Sequence, residues 1–109
     1  HHSRCIKAIY GSRENIVKED NGQFLKLFKA LSNQDRIDIV KLLKEKKEMF
    51  AQDIEKRFYL EQSTTSHHLN VLRRAGITKA RKEGRKVFYS IDYDTFSANL
   101  NDFIDQILK

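Results

Sequence analysis

The stretch that decides the fold is Gln62-Ser63-Thr64-Thr65-Ser66-His67-His68-Leu69-Asn70-Val71-Leu72-Arg73-Arg74-Ala75-Gly76-Ile77. On a wheel of 3.6 residues per turn, Thr65, His68, Leu69 and Leu72 share one side. Ser63, His67, Asn70 and Arg74 share the opposite side. The spacing predicts a helix over residues 62–75 that stops at Gly76, because glycine takes the left-handed conformation that ends a helix. The outward face is small and polar, with one imidazole and one guanidinium, where an ordinary surface helix carries Glu and Lys. Small side chains let a helix backbone approach a groove closely. His, Asn and Arg are able to hydrogen-bond base edges or phosphates.

Downstream, Ile77 to Lys82 and Arg85 to Ile91 read as two strands around a turn at Glu83-Gly84. Val87, Tyr89 and Ile91 alternate with Lys86, Phe88 and Ser90, which is strand periodicity, and Gly84 supplies the positive φ of a tight turn. This is a β-hairpin with a basic tip. Upstream, residues 50–58 read as a short helix with Ala51, Ile54 and Phe58 inward. Before it, Ser32 or Asn33 caps a helix whose apolar stripe is Ile39, Leu42 and Leu43, with Val40 beside it. Asp35 sits at its positive end, and Lys44, Lys46 and Lys47 at its negative end. Phe24, Leu27, Phe28 and Leu31 follow the i, i+3, i+4, i+7 pattern of one more helix. Residues 4–18 are ambiguous: Ile6, Ile9 and Tyr10 have helical spacing, but Gly11-Ser12 interrupts it. At the other end, residues 94–108 read as a helix with Phe96, Leu100, Phe103, Ile104 and Ile107 on one broad apolar face. That face needs either the chain's own core or a second subunit.

Charge follows the same geography. The chain has 21 Lys and Arg against 15 Asp and Glu, a net +6. Residues 62–91 hold Arg73, Arg74, Lys79, Arg81, Lys82, Arg85 and Lys86 against Glu83 alone, so they carry the whole excess. A basic stripe confined to one segment is the electrostatic footprint of a nucleic-acid face, although a solvated Lys-rich surface gives the same count.

The chain's 109 residues make one domain, 4–109, with His1-His2-Ser3 set aside as an expression-tag remnant. No proline, linker or internal repeat divides it. Its single cysteine excludes an internal disulfide and fits a reducing compartment. No apolar run exceeds three residues, so no segment spans a membrane. No nucleophile–base–orienter set, phosphate-binding glycine loop or metal-ligand cluster points to an enzyme, a cofactor or a metal.

The order helix, short turn, polar-faced helix, basic hairpin is that of a mainly α winged helix-turn-helix with a small β-hairpin wing. Residues 62–77 closely resemble the recognition helix of ArsR-type (ArsR/SmtB) transcriptional repressors. The stretches Leu27 to Ile37 and Arg81 to Ile91 resemble that family's opening segment and wing. The likeness covers residues 24–91, in three motifs in order. It implies a cytoplasmic homodimer that binds double-stranded operator DNA, dimerises through its terminal helices and is released by an inducer. The turn before the recognition helix departs from the family: Tyr59 and Glu61 stand where Gly and a capping Ser are usual, and Glu is a poor N-cap. The sensor departs further. The family's Cys-x-Cys is replaced by Phe50 and Gln52, and residues 92–109 contain no His to join Asp92, Asp94, Asp102 and Asp105 in a zinc set. A dithiol switch needs a second cysteine beside Cys5. The inducer is therefore unidentified.

The residues expected to meet DNA are Gln62, Ser63, Thr64, Ser66, His67, Asn70 and Arg74 on the helix and Arg81, Lys82, Arg85 and Lys86 on the wing. The dimer is expected to use Ile6, Ile9, Tyr10, Phe96, Leu100, Phe103, Ile104 and Ile107. His68 lies on the inner side and reads as structural, and His67-His68 makes no metal site, because adjacent helical side chains point apart. Phe24, Phe28, Phe50, Phe96 and Phe103 read as core rather than as a ligand pocket. Cys5, between Arg4 and Lys7, is either an inert arm residue or a redox-reactive thiol, since nearby cations favour a thiolate. A rival from another class is a winged-helix interaction module whose basic face docks an acidic protein. The small polar face argues against it, because protein interfaces favour aromatic anchors.

Overall fold

The computed structural model describes residues 22–109. Cys5, Ile6, Ile9 and Tyr10 lie outside the described residues. Helix α1 is helical over residues 22–30 and is followed by α2 (Gln34–Lys46), β1 (Met49–Phe50), α3 (Ala51–Phe58), α4 (Gln62–Arg74), β2 (Thr78–Glu83), β3 (Lys86–Ile91) and α5 (Tyr93–Ile107).

The periodicities translate directly into burial. Leu27 and Ala30 of α1, Ile39 and Leu43 of α2, Ile54 of α3 and Leu69 and Leu72 of α4 close one core with Ala75, Ile77 and Ile91. Helix starts follow local chemistry. The Asn33 side chain accepts from the Arg36 N–H, and the Asp92 side chain accepts from the Thr95 N–H. Each satisfies an amide that a helix terminus leaves without a partner.

Two helix ends bracket the recognition element. After α4, the Ile77 N–H donates to Leu72 O and the Gly76 N–H to Arg73 O, with Gly76 at φ +78°. This is the Schellman arrangement, and Ile77 and Leu72 supply its apolar contact inside the core. After α3, Leu60 donates to Glu55 O and Tyr59 to Lys56 O, with Tyr59 at φ 56°. Tyr59 thus adopts the left-handed conformation that suits glycine, at a cost of about 1–2 kcal/mol. Glu61, at the start of α4, makes no side-chain cap.

The sheet corrects the sequence reading in two places. Its order is β1-β3-β2, all antiparallel, and β1 had no sequence signal because it is two residues long. Met49 pairs with Tyr89 and Phe50 with Phe88, so the hairpin's second strand is central. Both its edges are therefore hydrogen-bonded, and its Phe88 meets the register partner Phe50 at 5.9 Å between ring centroids. The turn is also one residue further on. Glu83 pairs with Lys86, which leaves Gly84-Arg85 as the loop. Only Gly84, at φ +64°, has positive φ there, the pattern of a type II′ turn with glycine first.

Candidate nucleic-acid interface

Helix α4 is held by its inward face. Thr65, His68, Leu69 and Leu72 are buried. Gln62, Ser63, Ser66, His67, Asn70 and Arg74 are exposed, and Thr64 is half-buried. The first turn of α4 contains no acidic residue. The N-cap itself is Glu61, whose exposed carboxylate makes no cap hydrogen bond and stands beside the positive end of the helix dipole. Arg73 lies beside Asn70, donating to its Oδ1 at 3.4 Å.

On the wing, Lys82, Arg85 and Lys86 are exposed, with Arg85 at the tip. Lys86 leans over the Phe50 ring, its Nζ 5.6 Å from the centroid. Arg81 has a different setting from the one expected. Its Nε donates to Glu48 Oε2 at 3.1 Å and its Nη2 to Glu48 Oε1 at 2.8 Å, a two-pronged pair. A third bond goes to Glu83. The guanidinium also lies over Phe88, 4.9 Å from the ring centre. Two carboxylates thus hold one cation. The Arg81 hydrogen bond lowers the Glu48 pKa against a smaller opposing effect of burial, and the carboxylates raise that of Arg81. Arg81 is not a free phosphate contact in this structure. The partner Glu48 was missed because it lies 33 residues away and only the β1–β3–β2 order brings it across.

Behind α4, Arg36 gathers three elements. Its Nε donates to Ala30 O at 2.8 Å, its Nη2 to Lys29 O at 3.2 Å, and its Nη1 faces His68 Nδ1 at 3.2 Å. The end of α1, the start of α2 and the buried face of α4 meet at one guanidinium. This contact spans 32 residues and had no sequence signal either.

The apolar face of α5 divides in two. Phe96 and Leu100, expected at the dimer interface, are partly buried and pack against the chain's own core. Phe103 stacks edge-on against Phe24 and Phe28, at 5.2 and 4.7 Å between centroids. Ile104 and Ile107 remain 38% and 61% exposed, and so do Leu108, Phe28 and Leu25 at 72%, 39% and 66%. The reason is geometric: one side of α5 lies on the domain, and its outer side has nothing opposite it among the described residues.

Residues 33–79 match the model of the bacterial regulatory protein, arsR family. Over 81 residues the chain is 36% identical to a cadmium resistance transcriptional regulatory protein CadC homolog of Staphylococcus aureus, across 74% of this chain and 67% of that one. The chain belongs to the ArsR family. Another ArsR-type likeness is to the transcriptional repressor SdpR of Bacillus subtilis, 32% identical over 83 residues, 76% of this chain and 91% of the relative. In three dimensions this ArsR-family chain matches the solution structure of a homodimeric winged helix-turn-helix DNA-binding domain from Mycobacterium bovis. The TM-score is 0.66 at 26% identity, over 89% of each chain. The fold is a winged helix-turn-helix, and the protein is a transcriptional regulator. No described helix is long and apolar enough to cross a membrane. Among the described residues, no three His, Cys, Asp or Glu side chains come together as a metal site.

Proposed function

We propose that this ArsR-family regulator is a homodimeric repressor that occupies operator DNA. The observation that carries the reading is the division of α4, with an apolar inward face locked in the core and a small, polar, basic outward face. Gln62, Ser63, Thr64, Ser66, His67, Asn70 and Arg74 would enter the major groove. Lys82, Arg85 and Lys86 would add phosphate and minor-groove contacts. Arg81 joins them only after leaving Glu48. Ile104 and Ile107 with Phe28, Leu25 and Leu108 offer the apolar surface for a second copy, and Ile6, Ile9 and Tyr10 are assigned to the same interface. Two recognition helices would then reach half-sites about 34–36 Å apart. The homodimeric state of the Mycobacterium bovis domain and the repressor activity of SdpR support this reading. The replacement of the family's thiols by Phe50 and Gln52 separates its inducer from soft-metal sensing. Cys5 is its one candidate redox group.

The test is fluorescence anisotropy on a duplex from the gene's own upstream region against a scrambled duplex, at two salt concentrations. A preference of about 10³-fold or more with steep salt loss is expected. Equal, weak, salt-sensitive binding to both duplexes would overturn it and favour docking of an acidic protein on the same face.

A further inference from the structure

Arg36 and His68 lie outside the surface proposed to meet DNA, yet they join the recognition helix to the rest of the domain. A guanidinium has donors only, so His68 Nδ1, 3.2 Å from Arg36 Nη1, accepts. The neutral ring therefore carries its proton on Nε2, which lies 3.8 Å from Asp35 Oδ2. Arg36 is not free to retreat, because its other two bonds hold the carbonyls of Lys29 and Ala30 at the end of α1. Nor is the ring free to swing outward, because His68 is 6% exposed on the inward face of α4.

We infer that Arg36 and His68 are a positioning pair for the recognition helix, and that a second proton on the His68 ring breaks the pair and weakens DNA binding. The inference rests on the operator-binding reading above. A proton on Nδ1 would set an N–H against the N–H of Arg36, and with the guanidinium anchored to α1 it is α4 that must move. Among the described residues, the charged and titratable groups that bear on the ring are Arg36 and Asp35 from α2 and His67 from α4 itself. Burial lowers the His68 pKa most, Arg36 and His67 add to this, and Asp35 opposes it. With the folded value below the ordinary 6.5, the neutral ring's contribution to stability is complete above about pH 6.5. It is lost as the pH falls through the lowered value. The sign distinguishes His68 from His67. A protonated His67, exposed on the groove face, would tighten binding to a polyanion, whereas a protonated His68 loosens it.

Two measurements on the whole protein test this. Long-range ¹⁵N–¹H correlation spectra of the free protein should show His68 as the Nε2–H tautomer, titrating below the ordinary 6.5. Anisotropy on the upstream duplex should show specific affinity falling several-fold, up to about tenfold, as the pH is lowered from 7.5 through the His68 midpoint found in those spectra, since one unit of pKa difference between free and bound states is tenfold in affinity. His68→Asn puts an untitratable amide oxygen near the place of Nδ1, and its affinity should not fall over that range. A His68 carrying its proton on Nδ1 would overturn the pair. So would a wild type that loses no affinity relative to His68→Asn as pH falls. If the wild type at pH 7.5 fails to distinguish the upstream duplex from a scrambled one, the operator reading fails instead, and the tautomer spectrum still decides the contact.

Discussion

The outward face of α4 and the wing carry charge of the same sign and are both exposed, but they are built in opposite ways. The helix has four buried side chains beneath it and presents Ser63, His67, Asn70 and Arg74 with no acidic residue in its first turn. The wing is a two-stranded ribbon joined to a two-residue strand, and five of the six residues of β2 are exposed. Its Arg81 is bonded to Glu48 and Glu83. Counting cations therefore overstates what the wing offers to DNA. A cation's availability depends on its nearest partner, and for Arg81 that partner is already a carboxylate.

The largest effect should come from beneath the helix. Leu69→Ala removes a side chain that is 1% exposed and should cost about 2–5 kcal/mol, read as a lower urea midpoint. A substantially smaller cost would mean that α4 is less firmly seated than the contrast with the wing requires. On its outward face, His67→Ala should leave the urea midpoint near wild type but remove about 1–3 kcal/mol of operator preference if the ring reads a base. Equal loss on operator and random duplexes would reassign His67 to the backbone and make the helix more like the wing. At the wing tip, Arg85→Ala should weaken binding to every sequence alike and reduce the salt dependence by about one unit per chain. A loss confined to one operator base would show that the wing reads sequence too. The smallest effect, and the most diagnostic one, belongs to Glu48→Gln. Releasing Arg81 from a charged partner should tighten binding slightly and steepen the salt slope by up to about one unit per chain. Weaker binding at an unchanged slope would mean that the Glu48–Arg81 pair holds the wing in place rather than withholding a cation.

The elements that were legible in the sequence are those whose signals are local. The period of Leu69 and Leu72, the stop at Gly76 and a cap at Ser32 or Asn33 each act within one or two turns of chain, so a linear reading finds them, and the structure chooses Asn33. Tyr59 stood out only against the family resemblance, where glycine is usual, and its positive φ shows why glycine suits that position. Strand β1 was not legible, because two residues carry no period and owe their conformation to β3. The turn at Gly84-Arg85 was displaced by one residue because the pairing of Glu83 with Lys86 sets the register, and pairing is a property of two strands.

The same division runs through the site. The sequence alone determined which face of α4 is polar and that the positive charge collects between residues 62 and 91, since helical period and composition are written along the chain. Only the tertiary structure decided that Arg81 is held by Glu48, that Arg36 meets His68, and that Phe96 and Leu100 turn inward while Ile104 and Ile107 do not. Each of these outcomes depends on which side chain arrives opposite another after the chain has folded. Hydrogen bonds and ion pairs act over a few ångströms, and separation along the chain carries no information about that distance.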